Sequence, residues 1–143
     1  MPPEHLPLEL KVGLRSGSVF YFQARELSSA QPHFFVVINR DPLGQDLLLL
    51  TVFTSQIEKV RLRNRERPET IVEFDRPEYK PLTGPTAVDG NVIIRRSVGE
   101  MAEVVRRKVV GFHPDLPAPL LERLRAAALA SPVIEDEDKD LIR

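Results

Sequence analysis

Two apolar runs, separated by only seven residues, set the strongest limit on how this chain can fold. Residues 34–39 read FFVVIN, and residues 47–54 read LLLLTVFT. Short continuous apolar runs of this kind are typical of strands that are buried on both faces. The segment between them, RDPLGQD, is rich in residues that favour turns. The sequence therefore predicts an antiparallel hairpin at the centre of a sheet.

Shorter β-forming segments lie on both sides of this hairpin. They are residues 18–24, 70–75 and 86–94. The third segment is interrupted at Asp89-Gly90, where a bulge or a close approach of two backbones is expected. Alternation of large apolar and polar side chains in these segments indicates strands that add to the same sheet.

Two helices are predicted after the strands. Ser97 followed by Glu100 has the spacing of a capping box, which marks the start of the first helix. Residues 119–130 place an apolar stripe at helical spacing. Strands that come first and helices that come last indicate an α+β domain, mainly β, built on a small curled antiparallel sheet with C-terminal helices.

The length and the composition fit one globular domain between two less ordered ends. The chain has 143 residues and no cysteine, which excludes a disulfide framework, a thiolate metal site and a cysteine nucleophile. Residues 1–15 are predicted to be mobile, residues 16–131 to form the domain, and residues 132–143 to be a disordered acidic tail. No apolar stretch reaches the roughly 20 residues of a membrane span, and no signal peptide is recognisable, so a cytoplasmic protein without membrane association is expected.

A row of basic residues follows the second apolar run. Lys59 begins the row, and Arg61, Arg63, Arg65 and Arg67 follow at every second position. In an extended backbone the four guanidinium groups would point the same way. That pattern suits a polyanion, because guanidinium groups bind phosphates through paired hydrogen bonds. The alternative is a solvated loop whose charges keep an edge strand from aggregating.

A histidine and a polar tripeptide mark the ends of the two central strands. His33 opens the first strand, and Thr54, Ser55 and Gln56 end the second. If the strands pair as a hairpin, these side chains lie at the same end of the sheet. Histidine transfers protons near neutral pH, while hydroxyl and amide groups bind a phosphate or a base edge. The alternatives are a structural histidine and a polar cap on the strand end.

Motifs for other chemistry are missing from the sequence. No HxxxH or paired-carboxylate spacing suggests a metal site. No P-loop, GxGxxG or GxSxG segment is present either, so nucleotide-driven and serine-hydrolase chemistry are not expected.

Five segments, taken in chain order, resemble those of a known family. They are SGSVFYF, PHFFVVINRDP, LLLLTVFTSQ, LTGPTAVDGNVI and PAPLLERLRAAALAS, which together span about residues 16–131. This order resembles the PemK/MazF family of toxins from bacterial toxin–antitoxin systems, which share a small SH3-like barrel with CcdB. The resemblance implies that fold, a homodimer, and a cognate antitoxin protein as a partner.

The resemblance also implies an activity and a set of site residues. Members of this family are metal-independent endoribonucleases that cut single-stranded RNA without a cofactor. The 2′-hydroxyl attacks the adjacent phosphate, which leaves a 2′,3′-cyclic phosphate and a 5′-hydroxyl. The two catalytic positions of the family fall on His33 and Thr54. The residues expected to bind substrate are Ser55, Gln56, Arg61, Arg63, Arg65, Asn91 and Arg95.

Two departures from the family pattern keep a second hypothesis open. His33 stands where the family has an arginine, and it is followed by Phe34 rather than proline. Gly90-Asn91 stands where the family has Asp-Gln. Either the basic row or Arg95 supplies the missing permanent charge, or the chain does not cut RNA. The alternative function is a non-catalytic protein of the same fold that binds RNA or a protein target, as CcdB does, and is held in check by a cognate antitoxin.

The acidic end of the chain suggests a regulatory hypothesis. Of the seven charged residues in 131–143, five are acidic. Such a tail would be able to lie over the basic row and compete with RNA. The alternative is a tail that is simply solvated.

Overall fold

The computed structural model describes residues 6–27, 31–107 and 110–143, and its centre is an antiparallel sheet. The strands in this part of the chain are β1 (Val19–Phe22), β2 (His33–Val37), β3 (Leu47–Thr54), β4 (Ile71–Phe74), β5 (Thr86–Asp89), β6 (Ile94–Ser97) and β7 (Gly111–His113). They follow the order β4-β5-β3-β2-β1-β7, with β6 also paired to β3. No ladder joins β4 to β7 within the described residues, so the curled sheet is open.

Six helices accompany the sheet in the described ranges. They are α1 (Leu8–Gly13), α2 (Pro42–Gln45), α3 (Ile57–Arg63), α4 (Val98–Arg106), α5 (Ala118–Ala130) and α6 (Asp136–Ile142), with a 3₁₀ turn at Pro68–Thr70. The predicted class is confirmed: the fold is α+β with a mainly β core and C-terminal helices. No helix in these ranges has the length and apolar character needed to cross a membrane.

The predicted central hairpin is confirmed. β2 and β3 pair in antiparallel register, with Phe35 opposite Val52 and Val37 opposite Leu50. Both strands are buried on their two faces, as their continuous apolar runs predict. The connection between them is one short helix, α2, whose first turn is capped by the side chain of Asp41.

β3 is the longest strand, and it pairs with two strands, β5 and β6, in addition to β2. Its first half pairs with β6, and its last two residues pair with β5. The single strand predicted over residues 86–94 is therefore two strands. The chain turns away between them at Gly90, where an added Cβ would lie 2.7 Å from the Thr70 carbonyl oxygen and 2.8 Å from the Ala127 carbonyl carbon. The predicted close backbone approach at this glycine is confirmed.

Apolar side chains cover both faces of the sheet and give the domain two cores. On one face, Val36 and Leu49 pack with Leu124 of α5 and with Ile142 of α6. On the other face, the core joins the sheet to α1 and α4 through residues that include Phe35, Leu50, Leu10 and Met101. Burial of these side chains from both sides is the main force that holds the hairpin in place.

The two helices predicted after the strands, α4 and α5, are confirmed. α4 begins with the predicted capping box, in which Ser97 Oγ accepts the Glu100 N–H at 3.0 Å and Glu100 Oε1 accepts the Ser97 N–H at 3.1 Å. α5 covers the predicted residues 119–130 and starts one residue earlier. Its apolar stripe faces the core, with Leu120, Leu121 and Leu124 buried.

The N-terminal segment differs from its prediction. Residues 1–5 lie outside the described residues, but α1 forms within the stretch expected to be mobile. Leu10 is fully buried against the sheet, and Leu14 is buried directly after the helix. Apolar residues four positions apart anchor this short helix. The pattern covers too few residues to stand out from the proline-rich sequence around it.

The C-terminal segment also differs from the predicted disordered tail. Residues 136–142 form α6, and Ile142 is fully buried. The backbone N–H of Arg40 donates to the Leu141 carbonyl at 3.0 Å, and Arg40 Nε donates to the Ile142 carbonyl at 3.2 Å. Acidic residues in the first turn favour a helix through its dipole, and one buried isoleucine then docks it.

Candidate functional site

His33 and Thr54 lie side by side at the open end of the central hairpin. The β2–β3 ladder pairs Phe35 with Val52, and continuing the same register by two residues brings His33 opposite Thr54. Directly opposed residues of an antiparallel pair project from the same face of the sheet. Both side chains are half-buried and line one cleft.

The cleft has a volume of about 280 Å³ and an apolar wall. Leu27 follows β1, Val52 belongs to β3, Val60 to α3, and Val92 to the turn between β5 and β6. Val92 remains 37 % exposed, so part of this wall faces solvent. A cleft with an apolar wall and a few polar groups is the ordinary form of a small-ligand or nucleobase site.

The hydrogen bond of the His33 ring indicates which nitrogen is able to accept a proton. His33 Nδ1 lies 3.0 Å from the carbonyl oxygen of Gln31. Since a carbonyl oxygen only accepts, we assign the proton of the neutral ring to Nδ1 from this partner. Nε2 then carries the lone pair and is the atom able to take up a proton.

The end of β3 is shaped by a local turn that exposes its polar residues. Thr54 Oγ1 accepts the backbone N–H of Gln56 at 3.1 Å, which leaves the hydroxyl proton of Thr54 for another acceptor. Gln56 lines the cleft at the start of α3. Ser55 is exposed and lies outside the cleft lining.

The basic row does not adopt the extended backbone in which its four guanidinium groups would point the same way. Residues 57–63 form α3, and positions two apart on a helix point in different directions. Arg61 lies outside the cleft lining and donates two hydrogen bonds to Glu73, at 2.5 and 2.8 Å, and one to Glu58 at 2.6 Å. The hydrogen bonds and the charge of Glu73 raise the pKa of Arg61 above its ordinary value. The side chain of Arg61 therefore binds two carboxylates outside the cleft.

Lys59 and Arg63 are the members of the row that reach the cleft. They are four residues apart on α3 and so share one side of the helix. Lys59 is exposed and has no acidic partner among the described residues. Arg63 donates to Asp89 Oδ2 from Nε at 3.1 Å and from Nη2 at 2.9 Å. Arg65 lies beyond the end of the helix, exposed and outside the cleft.

Asn91 and Arg95, two of the residues expected to bind substrate, lie outside the cleft lining. Asn91 Nδ2 lies 2.8 Å from Thr70 Oγ1 and 2.9 Å from Asp89 Oδ1, in a network behind the cleft wall. Arg95 lies on β6 and pairs with Asp138 of α6. The acidic end of the chain thus contacts Arg95, whereas the regulatory hypothesis expected it to contact the basic row.

Asp89 is a site residue that the sequence did not reveal. It lines the cleft, although the residue is only 5 % exposed. Burial alone would raise the pKa of this carboxyl, but hydrogen bonds from Asn91, Asn64 and Arg63 outweigh burial and lower its pKa below the usual value. The carboxylate is therefore charged at neutral pH. The only sequence signal is the Asp89-Gly90 pair, which indicates a backbone feature and no partner.

No protein-family model matches the chain, and no curated protein matches its sequence. The chemistry of the cleft is therefore derived from its own residues. His33 offers a proton acceptor, Thr54 offers a hydroxyl donor, and Lys59 and Arg63 offer positive charge. These groups suit an anionic ligand that has both a phosphate and an apolar ring.

Proposed function

We propose that this protein binds single-stranded RNA in the cleft between the β2–β3 hairpin and α3, and cuts it without a metal ion. The observation that carries the proposal is that His33 and Thr54 line the same cleft, at positions that continue the Phe35–Val52 register of the hairpin. Lys59 and Arg63 line the same cleft from α3. RNA transesterification requires proton transfer and stabilisation of a doubly charged phosphorane, and a base, a hydroxyl donor and two cations are able to supply both.

In the proposed reaction, His33 Nε2 accepts the proton of a ribose 2′-hydroxyl. The 2′-oxygen forms a bond to the adjacent phosphorus, and the bond from phosphorus to the 5′-oxygen breaks. The products are a 2′,3′-cyclic phosphate and a 5′-hydroxyl, whose oxygen takes its proton from water. The hydroxide that this leaves takes the proton from His33 Nε2, which restores the neutral ring. The phosphorane between them carries two negative charges, and the Lys59 and Arg63 cations stabilise it while Thr54 Oγ1 donates to a non-bridging oxygen.

The cations of α3 supply the permanent charge that histidine lacks. Arg63 supplies a guanidinium cation, and Lys59 forms none of the ion pairs found in the described part of the chain. The pair therefore takes over the electrostatic role that an arginine at position 33 would have. Histidine at this position either leaves other residues to supply the charge or means that the chain does not cut RNA. The two cations of α3 support the first explanation.

The base of the scissile nucleotide would lie against the apolar wall. Single-stranded RNA is recognised through unstacked bases that pack on apolar or aromatic surfaces and expose their edges to polar groups. Val52, Val60 and Val92 provide that surface, and the Gln56 amide at the rim is able to form hydrogen bonds with a base edge. A duplex hides these edges, so single strands are the substrate.

The same proposal makes the chain a divergent PemK/MazF-like toxin. The five sequence segments support it, as do a mainly β antiparallel core and C-terminal helices. Under this proposal the chain works in the cytoplasm as a homodimer and is held in check by a cognate antitoxin.

Cleavage of a long single-stranded RNA in excess EDTA tests the proposal. The wild-type chain, His33→Gln and Thr54→Val are compared, with His113→Gln as the control because His113 lies outside the cleft lining. We expect discrete fragments with 5′-hydroxyl ends from the wild type and the control, and their loss in the other two variants. Undiminished cleavage by His33→Gln contradicts the proposal. Binding of intact RNA without cleavage favours the non-catalytic alternative.

A further inference from the structure

We infer that Asp89 is a positioning residue that fixes the Arg63 guanidinium at the cleft wall, ready for the phosphorane of the proposed reaction. The inference rests on the proposed function and adds to it the residue on which the cation depends. The hydrogen bonds around Asp89 support it, and the ion pair between Arg61 of α3 and Glu73 of β4 serves as a comparison.

The Asp89 carboxylate is saturated with hydrogen bonds. Oδ2 accepts two from Arg63 and one from Asn64 Nδ2 at 2.9 Å. Oδ1 accepts the Asn91 backbone N–H and Asn91 Nδ2, each at 2.9 Å. The side chain of Asp89 is 6 % exposed, whereas that of Arg63 is 58 % exposed. Asp89 is thus the fixed partner, and Arg63 is the one that would move without it.

The network behind Asp89 is anchored on three separate elements. Asn64 Nδ2 also lies 3.1 Å from the Val60 carbonyl oxygen in α3. Asn91 Nδ2 reaches Thr70 in the 3₁₀ turn, and Asn91 Oδ1 accepts the Ser131 hydroxyl at the end of α5. Because these elements belong to the packed fold, the carboxylate is held rigidly.

The geometry of the pair leaves Arg63 able to bind a ligand. A guanidinium has five N–H donors, and those directed at Asp89 are the Nε–H and one hydrogen of Nη2. Both of these bonds go to Oδ2, so the two hydrogens of Nη1 and one of Nη2 remain. A cation held in this way meets a developing charge without first losing side-chain freedom.

The ion pair between Arg61 of α3 and Glu73 of β4 is a matched comparison for the pair of Arg63 and Asp89. This pair is also bidentate, with bonds of 2.5 and 2.8 Å, but its side chains are 52 % and 37 % exposed. Neither residue lines the cleft. Loss of the Glu73 charge therefore removes one of the two carboxylate partners of an arginine that takes no part in the reaction.

Asp89→Asn is expected to separate catalysis from binding. The variant frees Arg63 to move, so kcat falls by about 10- to 100-fold. The same change removes a negative charge from the cleft, so RNA binding stays equal or becomes tighter. A variant that has merely lost its structure would lose both.

The test uses the full chain and measures kcat, KM and thermal unfolding for the wild type, Asp89→Asn and the control Glu73→Gln. Affinity is measured with a 2′-O-methyl RNA of the same sequence, which is not cut. We expect a fall in kcat without weaker binding in Asp89→Asn, and wild-type values in Glu73→Gln. Asp89→Asn introduced into Arg63→Ala is expected to lower kcat no further.

Two results overturn the inference. One is an equal effect of Asp89→Asn and Glu73→Gln on kcat, and the other is an effect of Asp89→Asn that persists in the Arg63→Ala background. If Asp89→Asn does not fold, Arg63→Lys replaces it, since Arg63 is exposed and lysine keeps the charge but not the paired contact. Unchanged kcat in Arg63→Lys then overturns the inference. A wild-type chain that does not cut RNA, whether or not it binds RNA, refutes the proposed function, and this inference with it.

Discussion

In the register that places Phe35 opposite Val52, His33 stands across the β2–β3 hairpin from Thr54. A shift of this register by one residue would turn the opposed side chains to different faces of the sheet. Such a shift would exchange the side chains that pack in the two cores, and close packing on both faces of the hairpin opposes this exchange. The candidate site therefore depends on two central strands whose paired segments lie in the core.

Gly90 is expected to tolerate no side chain. An added Cβ would meet backbone atoms of Thr70 and Ala127 at 2.7 and 2.8 Å, which flexible side chains cannot relieve. Gly90→Ala should lower the free energy of unfolding by about 2–3 kcal/mol, measured by urea denaturation. Gly84→Ala is the control, since nothing lies within 4 Å of its Cβ position. Equal stability of the two variants would refute the close approach at Gly90.

The buried hydroxyl group of Thr51 makes no hydrogen bond with any described residue. Among the buried side-chain polar atoms of the described residues, only Thr51 Oγ1 has no hydrogen-bond partner. Thr51→Val keeps the shape and removes the unsatisfied group, so we expect stability to rise by about 1 kcal/mol. In Thr86→Val, the same change removes a hydroxyl that donates to Gly84 at 3.0 Å, and stability should fall. A loss of stability in Thr51→Val would show that its hydroxyl has a partner.

The C-terminal helix is expected to contribute to the stability of the whole domain. Ile142 is fully buried between α6 and the core, so Ile142→Ala should cost about 2–4 kcal/mol in the free energy of unfolding. Val133→Ala provides the comparison, because Val133 is 59 % exposed and should have little effect. Thermal unfolding measures both. If Ile142→Ala is as stable as the wild type, the helix does not dock.

Acid is expected to weaken the fold through Asp89. The pKa of this carboxyl is lower in the folded chain than its ordinary value of 3.8. Its stabilisation is therefore complete above the ordinary value and is lost as the pH falls through the lower folded-state value. Urea denaturation at neutral pH and at about pH 3 should show a smaller loss of stability for Asp89→Asn than for the wild type. An equal loss would mean that Asp89 does not couple to folding.

The parts of the fold that were predictable are those specified by adjacent residues. The apolar runs at 34–39 and 47–54 specify the hairpin without reference to the rest of the chain, and Ser97 with Glu100 specifies the start of α4. α3 was not predictable in this way. Its alternating arginines have the period of a strand, while the helix is held by packing of Val60 and by an ion pair to β4.

The site was only half predictable for a similar reason. His33 and Thr54 come together through a simple hairpin register, which the sequence implies. The contact between Arg63 and Asp89 joins residues 26 positions apart in the chain, and it requires the turn at Gly90 and the network around Asn91. The Asp89-Gly90 pair indicates the backbone feature but not the hydrogen-bond network, so the residue that holds the cation emerged only from the structure.

The most direct test of the account is the single-turnover cleavage rate of His33→Gln relative to the wild type, on single-stranded RNA in EDTA. We expect a fall of about 100-fold or more, because His33 is the only imidazole among the described residues that line the cleft. Circular dichroism confirms that the variant is folded. A folded His33→Gln chain that cuts RNA at the wild-type rate would contradict the account.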